Sequence, residues 1–596
     1  MSDRKKLINY TSRDFNSIKS SLLEHAERFY PDSFRDFSEN SFGSYILDSV
    51  SYVGDMLSFY IDYQVNETFL ETALEYENIR KLVKNQGYRY TARPSAHGIA
   101  TFYIIVPGRS SGLGPNSSLI PVLRKGSEFR SEEGQSFVLT NDVDFNDSSN
   151  EIVAARFSQS TGKATSWAIR AHGTVKSTVL FQTIVEVKEQ EKFLSVLVGP
   201  STIAEIKSVI DSEGHEYFEV DNLSQDTIYI NSTNPNAASD GVPDIIKPKI
   251  VPRRFCVKQD DTGTYLQFGH GSDAKETLKN VLDPSQAVLR MTGKNYISDA
   301  AFDPNELLAN SSLGIAPSNT LLTVKYYDNE KDSVNVAAGG LNSVSTIGMS
   351  FPRSSGDISE ELSVRQSLEV SNDLPIVGNT SLPSADHLRH VTYAAKAAQK
   401  RTVTRNDYEA YIYMMPSNFG SVKRATVYND PSGTNRRLSV YVVSEDEDSN
   451  LIQSNSTVKE NLKVWLNKNK MLNDNIDIYD AKIVNLGFTY EVIVDPTRDK
   501  NEILNLINSK LLDYLSDKMY IGEPFYLSNI FNVINKVEGV IDVIRVTPEV
   551  KAGGDYSSMA VSVEELKSKD GTYIMAPINT IFEIKFPNLD IKGTAV

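Results

Sequence analysis

The chain has 596 residues, of which 40% are hydrophobic and 23% charged, and its formal net charge is −16 at pH 7. This length allows several domains, while the net acidity disfavours a general nucleic-acid binder, because phosphate contacts need clustered Lys and Arg. The single cysteine, Cys256, excludes an intrachain disulfide, and the polar start and the lack of an apolar run of about 18 residues predict neither a signal peptide nor a membrane span.

Residues 1–95 are predicted to form a helical, bundle-forming segment. Thr11 or Ser12 would cap a first helix that runs to about His25. A third helix, at about Glu75–Gln86, would end at Gly87, which suits the position after a helix C-terminus.

The second helix, at about Ser44–Asn66, carries an apolar seam. Its large apolar residues recur at intervals of three and four, which is typical of helices that pack in bundles. Gly54 would let another helix approach closely. We therefore predict that this helix forms an interface, within the chain or between subunits, through Ile46, Val50, Val53, Gly54, Leu57 and Ile61. Asp48, Asp55 and Asp62 recur every seven residues on another face, which is either solvated or pairs with a basic partner helix.

Residues 96–285 are predicted to be β-rich. Alternating or β-branched runs predict strands near 100–106, 136–140, 178–186, 193–198, 227–230 and 265–268. Residues 201–250, rich in turn formers, are a candidate inserted side domain. Residues 286–400 are expected to form a mixed connecting region, with a strand at 319–327 and a helix at 385–400.

Residues 401–596 are predicted to form α/β modules. Thr404 can cap a helix with Asp407 as its capping-box partner, and Pro416 would end it. Strands are expected at 421–428 and 438–443, joined by a turn, and later at 476–484, 488–494 and 540–546. Helices are expected at 456–468, 500–515 and about 527–534. Helices on one side of small sheets suggest a ferredoxin-like α+β arrangement. The fold class is therefore α+β and multidomain, and we expect an elongated chain.

Several motifs in chain order resemble the baseplate J-like family of contractile-tailed bacteriophages. The residues Thr404, Asp407, Tyr408 and Glu409 match its T-x-x-DYE helix start, and Val422, Ala425 and Val427 match the following strand. Further matches are an IP-x-G-type hairpin and an FG-x-G element with His270 where Asp is commoner; they lie at Ile120, Pro121, Gly126, Phe129, Gly134, Phe137, Phe268, Gly269 and Gly271.

The resemblance implies a structural part of a virion tail baseplate, assembled in the host cytoplasm. In that family two copies pair, join another wedge subunit through a helical bundle, and contribute to a ring around the tail hub. The ring, which also contacts neighbouring wedges, rearranges on contraction. The resemblance thus predicts a homodimer, with residues 401–596 as the dimerisation region, and a chain that has no cofactor and no nucleic-acid partner.

No motif proposes catalysis or metal binding. Gly108–Gly112 satisfies G-x-S-x-G, yet no helix can follow the serine at once. Asp142, Asp144 and Asn146 begin like a calcium loop that lacks its central glycine and final glutamate. His387 and His390 lack a third ligand at a recognisable spacing. Alternative functions are a carbohydrate-binding tail fibre or adhesin, and the baseplate part of a bacterial contractile injection system.

Overall fold

The protein has N-terminal helices, a β-rich middle and C-terminal α/β segments, which confirms the predicted α+β multidomain class. A computed structural model describes residues 14–30, 41–88, 93–109, 113–159, 162–234, 244–260, 262–271, 313–329, 331, 333–353, 358–399, 401–429, 437–515 and 519–596. The predicted caps Thr11 and Ser12, and the turn between the strands near 424 and 443, lie outside these residues.

Eight of the described helices fall on predicted segments, and three others, at Ile358–Gln366, Val563–Leu566 and Pro587–Asp590, were not predicted. In chain order the helices are α1 (Phe15–Phe29), α2 (Phe42–Asn66), α3 (Tyr76–Asn85), α4 (Ile358–Gln366), α5 (Ala385–Ala398), α6 (Arg405–Tyr413), α7 (Ser456–Asn467), α8 (Lys500–Leu515), α9 (Leu527–Asn535), α10 (Val563–Leu566) and α11 (Pro587–Asp590). Gly87, just beyond α3, has φ +91°, as expected for a residue that follows a helix C-terminus.

The strands occupy the middle and the C-terminal half. They are β1 (His97–Pro107), β2 (Val122–Leu123), β3 (Glu128–Ser131), β4 (Ser136–Leu139), β5 (Val143–Asp144), β6 (Glu151–Phe157), β7 (Ala164–Ser177), β8 (Val179–Val187), β9 (Ser195–Gly199), β10 (Glu205–Ile210), β11 (Glu216–Glu219), β12 (Thr227–Thr233), β13 (Asp244–Ile250), β14 (Arg254–Asp260), β15 (Gly263–Phe268), β16 (Thr320–Asp328), β17 (Leu341–Thr346), β18 (Met349–Ser350), β19 (Glu369–Ser371), β20 (Arg424–Asn429), β21 (Arg437–Glu445), β22 (Leu451–Ile452), β23 (Asn475–Asp480), β24 (Lys482–Val494), β25 (Phe525–Tyr526), β26 (Val540–Lys551), β27 (Tyr573–Ile574), β28 (Thr580–Glu583) and β29 (Ile591–Ala595).

Two seven-stranded sheets form the β-rich middle, and each curls towards a barrel. The first has the order β17-β3-β4-β7-β1-β19, with β6 also paired to β7. Its end strands β17 and β19 lie side by side, and the Asn372 Oδ1 atom accepts a hydrogen bond from the Leu341 N–H at 2.8 Å. Phe102 and Phe129 contact each other in its core, with tilted rings whose centroids are 5.0 Å apart.

The second sheet has the order β8-β16-β10-β11-β14-β15-β9 around a core that contains Val209, Leu266 and Phe268. Strands from the predicted connecting region return to both sheets, since β16 joins the second and β17 and β19 join the first. Within residues 201–250, β10 and β11 belong to the second sheet, whereas β12 and β13 form a separate two-stranded ribbon. The domain boundaries stay a prediction.

Gly269, in the FG-x-G element, permits a close approach of two backbone segments. A methyl group at this position would lie 2.1 Å from the Gly314 carbonyl oxygen. We expect Gly269→Ala to lower the free energy of unfolding by about 1–3 kcal/mol, because a backbone atom must move. Thermal unfolding, together with hydrogen exchange of β14 and β15, would measure this loss of stability.

Gly348→Ala is the matched control for this change. Its methyl group would meet its nearest neighbour, the Arg124 Cβ atom, at 3.4 Å, which is ordinary contact, and its φ lies outside the left-handed region. Equal effects of the two substitutions would contradict the steric explanation.

The T-x-x-DYE residues hold the first C-terminal segment together. Asp407 accepts hydrogen bonds from the Thr404 and Val403 N–H groups, and Thr404 accepts one from the Asp407 N–H, which confirms the capping box. The Tyr408 hydroxyl donates to Asp474 Oδ2 at 2.8 Å, and Glu409 Oε1 accepts the Val427 N–H at 3.1 Å. Each of these side chains therefore has a structural role.

The C-terminal half contains two helix-covered sheets. In the first, α6 and α7 pack on β20, β21 and β23. In the second, α8 and α9 pack on β24, which pairs with β26, β28 and β29. The predicted break between 484 and 488 is wrong: β24 continues through Gly487 because residues 485–487 pair with residues 549–551 of β26. On its other edge β24 pairs with β28 up to Asn485 and with β29 from Phe488 onwards.

Candidate assembly interface

Helix α2 is well defined at both ends. The Ser41 hydroxyl caps its N-terminus by accepting a hydrogen bond from the Ser44 N–H at 3.1 Å. Beyond its C-terminus, the Glu67 carboxylate accepts the Leu74 N–H at 2.7 Å and the Asn78 side-chain N–H at 2.9 Å. These contacts fix the direction in which the helix leaves the body of the protein.

Helix α2 buries a polar side and exposes an apolar side, which is the opposite of an ordinary surface helix. The side chains that it buries are polar: Ser44, Ser51, Ser58, Asp62 and Asn66. Its large apolar side chains are exposed instead: Phe42, Tyr45, Ile46, Val50, Tyr52, Val53, Leu57, Phe59, Tyr60 and Ile61. Soluble monomers seldom expose contiguous apolar patches beyond a few hundred Å², and larger ones mark interaction sites.

The predicted seam lies within this exposed surface. Ile46 is 44% exposed, Val50 50%, Val53 55%, Leu57 57% and Ile61 53%. We call these five residues the α2 seam. No helix among the described residues covers it, so its packing against another chain stays a prediction.

Gly54 lies beside the seam, on the side that α1 contacts. A methyl group there would lie 3.2 Å from the Ile18 Cδ1 atom. The Lys19 ammonium group reaches the Asp48 carboxylate at 2.6 Å across the same contact. The helix that approaches Gly54 is thus α1 of the same chain. Of the three regularly spaced aspartates, Asp48 pairs with a basic residue, Asp55 is half-buried and Asp62 is buried.

Helix α3 anchors α1 and α2 to the rest of the protein, which we call the body. Ile79 and Val83 are fully buried against Leu388 and Val391 of α5. The Arg389 guanidinium donates to the Leu70 carbonyl oxygen at 2.9 Å and to that of Ala73 at 2.5 Å. The segment from Leu70 onwards therefore belongs to the body, whereas α1 and α2 present the exposed surface.

The residues considered as catalytic or metal-binding candidates do not come together in one site. Within the described ranges, no group of three His, Cys, Asp or Glu side chains could hold a metal ion. Asp142 instead accepts the Lys125 N–H and pairs with Arg124 at 2.7 Å, and Asp144 accepts the Asn146 N–H. Ser110 of the G-x-S-x-G pattern lies outside the described residues.

His387 and His390 also take separate positions. His390 is exposed, whereas burial lowers the pKa of His387 to about 3, and His387 Nδ1 lies 3.0 Å from the Tyr520 hydroxyl. The cavity beside His387, about 50 Å³ in volume, has room for a few water molecules only. No helix in the described part of the chain is long and apolar enough to cross a bilayer.

Comparison with known protein families gives a match to the helical segment. Residues 14–85, which span α1 to α3, match the family described as the N-terminal domain of bacteriophage baseplate proteins. No curated protein matches the chain significantly.

Two solved structures were compared with the fold. The anti-feeding prophage baseplate, determined by cryo-electron microscopy with six-fold symmetry, has 10% identity over 95% of this chain and 90% of that chain, at a TM-score of 0.25. The TssK-TssF-TssG baseplate subcomplex of the type VI secretion system has 8% identity over 72% of this chain and 96% of that chain, also at 0.25. Scores this low do not establish a shared fold.

Proposed function

We propose, from the premise that residues 14–85 match the N-terminal domain of bacteriophage baseplate proteins, that this chain is a non-enzymatic structural part of a contractile-tail baseplate. The outward-facing apolar side of α2 is the observation that carries the proposal. Apolar surface contributes roughly 25 cal/mol for each Å² removed from water, so a helix with this surface favours a bundle with helices of other chains.

The finer proposal is a wedge subunit of baseplate J-like type. Two copies would pair and join a further wedge subunit through a helical bundle that contains the α2 seam, and wedges would close into a ring around the tail hub. The T-x-x-DYE motif supports this assignment, since the hydrogen bonds of its side chains organise α6 and β20.

A wedge subunit of this kind needs a second interface, which we propose lies in residues 401–596. Strand β26 supports this proposal, because no described strand pairs with its outer edge and its side chains Ile541 and Ile544 are 62% and 49% exposed. An open strand edge with apolar side chains is a common site of association.

Electron microscopy of purified particles labelled with antibody to this chain would test the proposed function. We expect label at the baseplate, around the end of the tail tube. Label along distal fibres would overturn the proposal in favour of the adhesin alternative, which a glycan-array screen would then examine. Label on phage-like particles without DNA-filled heads would assign the chain to a contractile injection system instead of a virion.

A further inference from the structure

The ribbon of β12 and β13 is a separate two-stranded sheet that contacts β11 through Lys249, whose ammonium group lies 4.1 Å from the Phe218 ring centroid, and it exposes apolar side chains. Its register runs from the pair Thr227 and Ile250 to the pair Thr233 and Asp244, and no other described strand pairs with it. Tyr229 is 74% exposed and Ile246 66%. A two-stranded ribbon in water is only marginally stable, and a third strand stabilises it. The ribbon therefore favours an additional strand.

The two edges of the ribbon differ in their capacity to accept that strand. The Val251 N–H donates to the Asp226 carbonyl oxygen at 2.8 Å, which makes these two residues a hydrogen-bonded pair. Hydrogen-bonded and non-hydrogen-bonded pairs alternate along an antiparallel ladder, so Pro248 falls in a non-hydrogen-bonded pair with Tyr229. The proline nitrogen then faces the outer edge of β13, where it offers no donor to another strand.

The two strands also differ in charge. All charged residues of the two strands lie on β13, at Asp244, Lys247 and Lys249. The Lys247 ammonium group turns to Ser232 Oγ of β12 at 3.4 Å and that of Lys249 to the Phe218 ring, so Pro248 is the residue that protects the outer edge of β13. The sequence of β12, Thr-Ile-Tyr-Ile-Asn-Ser-Thr, has neither charge nor proline. Its outer edge is thus open to pairing, whereas that of β13 is blocked.

We propose that the outer edge of β12 pairs with β12 of a second copy of this chain, antiparallel, about a two-fold axis at Ile230. In this register the outward-facing backbone of Tyr229 pairs with Asn231 of the other copy, and Thr227 with Thr233. Ile230 lies opposite itself. The product is a continuous four-stranded sheet.

The uncharged sequence of β12 suits a second copy as the partner. Like charges placed opposite each other destabilise a strand pair, and an uncharged strand pairs with itself without this cost. A two-fold contact is also closed, so it does not propagate into fibres. One strand pair buries less than the roughly 1,000 Å² of a specific interface, so the contact forms where other contacts already hold two copies close together.

Cysteine cross-linking tests the register. In a Cys256→Ser background, Ile230→Cys places two thiols opposite each other, with Cβ atoms about 4.5–5.5 Å apart. A disulfide needs about 3.5–4.5 Å, which is within the reach of small adjustments. With oxidised glutathione as the oxidant, we expect disulfide-linked dimers of Ile230→Cys in concentrated solution and in assembled particles.

Ile246→Cys, on the blocked strand, is the control and should stay monomeric. Equal cross-linking of Ile246→Cys and Ile230→Cys, or no dimer of Ile230→Cys under either condition, would overturn the proposal.

A second pair of variants separates pairing from chance collision. Asn231→Pro removes an outward-facing N–H and leaves the inward hydrogen bonds of the ribbon in place, as Pro248 does on β13. We expect it to abolish the Ile230→Cys dimer, whereas Asn231→Ala should retain it. A dimer that survives Asn231→Pro would refute pairing through this edge. The inference rests on the proposed function in that other contacts of the assembly hold two copies close together, and failure of these tests leaves the α2 seam unaffected.

Discussion

Replacing Val53 with aspartate is expected to abolish incorporation of the chain into baseplates while leaving the isolated chain folded. Val53 lies at the centre of the α2 seam and is 55% exposed, so the substitution should change the free energy of unfolding by less than about 1 kcal/mol. In a bundle the carboxylate would be buried without a partner. That cost should weaken association by at least about 100-fold, which corresponds to roughly 2.7 kcal/mol.

The measurement is the amount of tagged chain that co-sediments with assembled tails when the variant is supplied in trans. Val464→Asp is the matched control, because Val464 is also 55% exposed, also a valine and also on a helix, α7, away from the seam. Normal incorporation of Val53→Asp would refute the role of the α2 seam. Deleting residues 1–90 would be less informative, because it also removes Ile79 and Val83 from the body.

The second large effect is a loss of stability, expected where the chain segments around Ser95, Gly378 and Ser421 meet. The Ser95 N–H donates to the Ser417 carbonyl oxygen at 3.0 Å, and the Ser421 N–H donates to that of Gly378 at 2.7 Å. Beside this crossing, the Lys423 ammonium group and the Glu445 carboxylate form an ion pair at 2.9 Å, with side chains only 9% and 2% exposed. Glu445 also accepts the Ser381 N–H at 2.7 Å. The pair thus ties the segment before α5 to β21.

Lys423→Met should lower the free energy of unfolding by about 3–5 kcal/mol, because it leaves the Glu445 charge buried without its partner. The double variant Lys423→Met/Glu445→Gln should recover part of the loss, since neither position of the pair then carries a charge. In a Trp167→Phe background, the fluorescence of Trp465, which stacks on Tyr411 with ring centroids 5.3 Å apart, would report on this segment during urea unfolding.

Lys459→Met provides the comparison for the buried pair. Lys459 and Asp480 form an ion pair of similar length, 2.8 Å, but their side chains are 25% and 23% exposed. Partly solvated ion pairs contribute about 0–1 kcal/mol to stability. We therefore expect Lys459→Met to lower the free energy of unfolding much less than Lys423→Met does. If both lysine substitutions had the same effect, burial would not account for the stability of the junction.

The sequence by itself determined the local elements and the residues that share a face. The intervals of three and four between Ile46 and Ile61 predicted the α2 seam, and Thr404 with Asp407 predicted the start of α6. These signals depend on residues within a few positions of one another, because helix caps and helix faces are local.

Only the tertiary structure decided which way the faces point and which distant segments meet. Periodicity groups the seam residues, but it does not reveal that α2 buries Ser44, Ser51 and Ser58 and turns its apolar side outwards. The return of β16, β17 and β19 to the two sheets, and the contact of Glu445 with Ser381, join positions far apart in the chain. Such pairings follow from the packing of whole sheets, because no short-range pattern specifies which strands become neighbours.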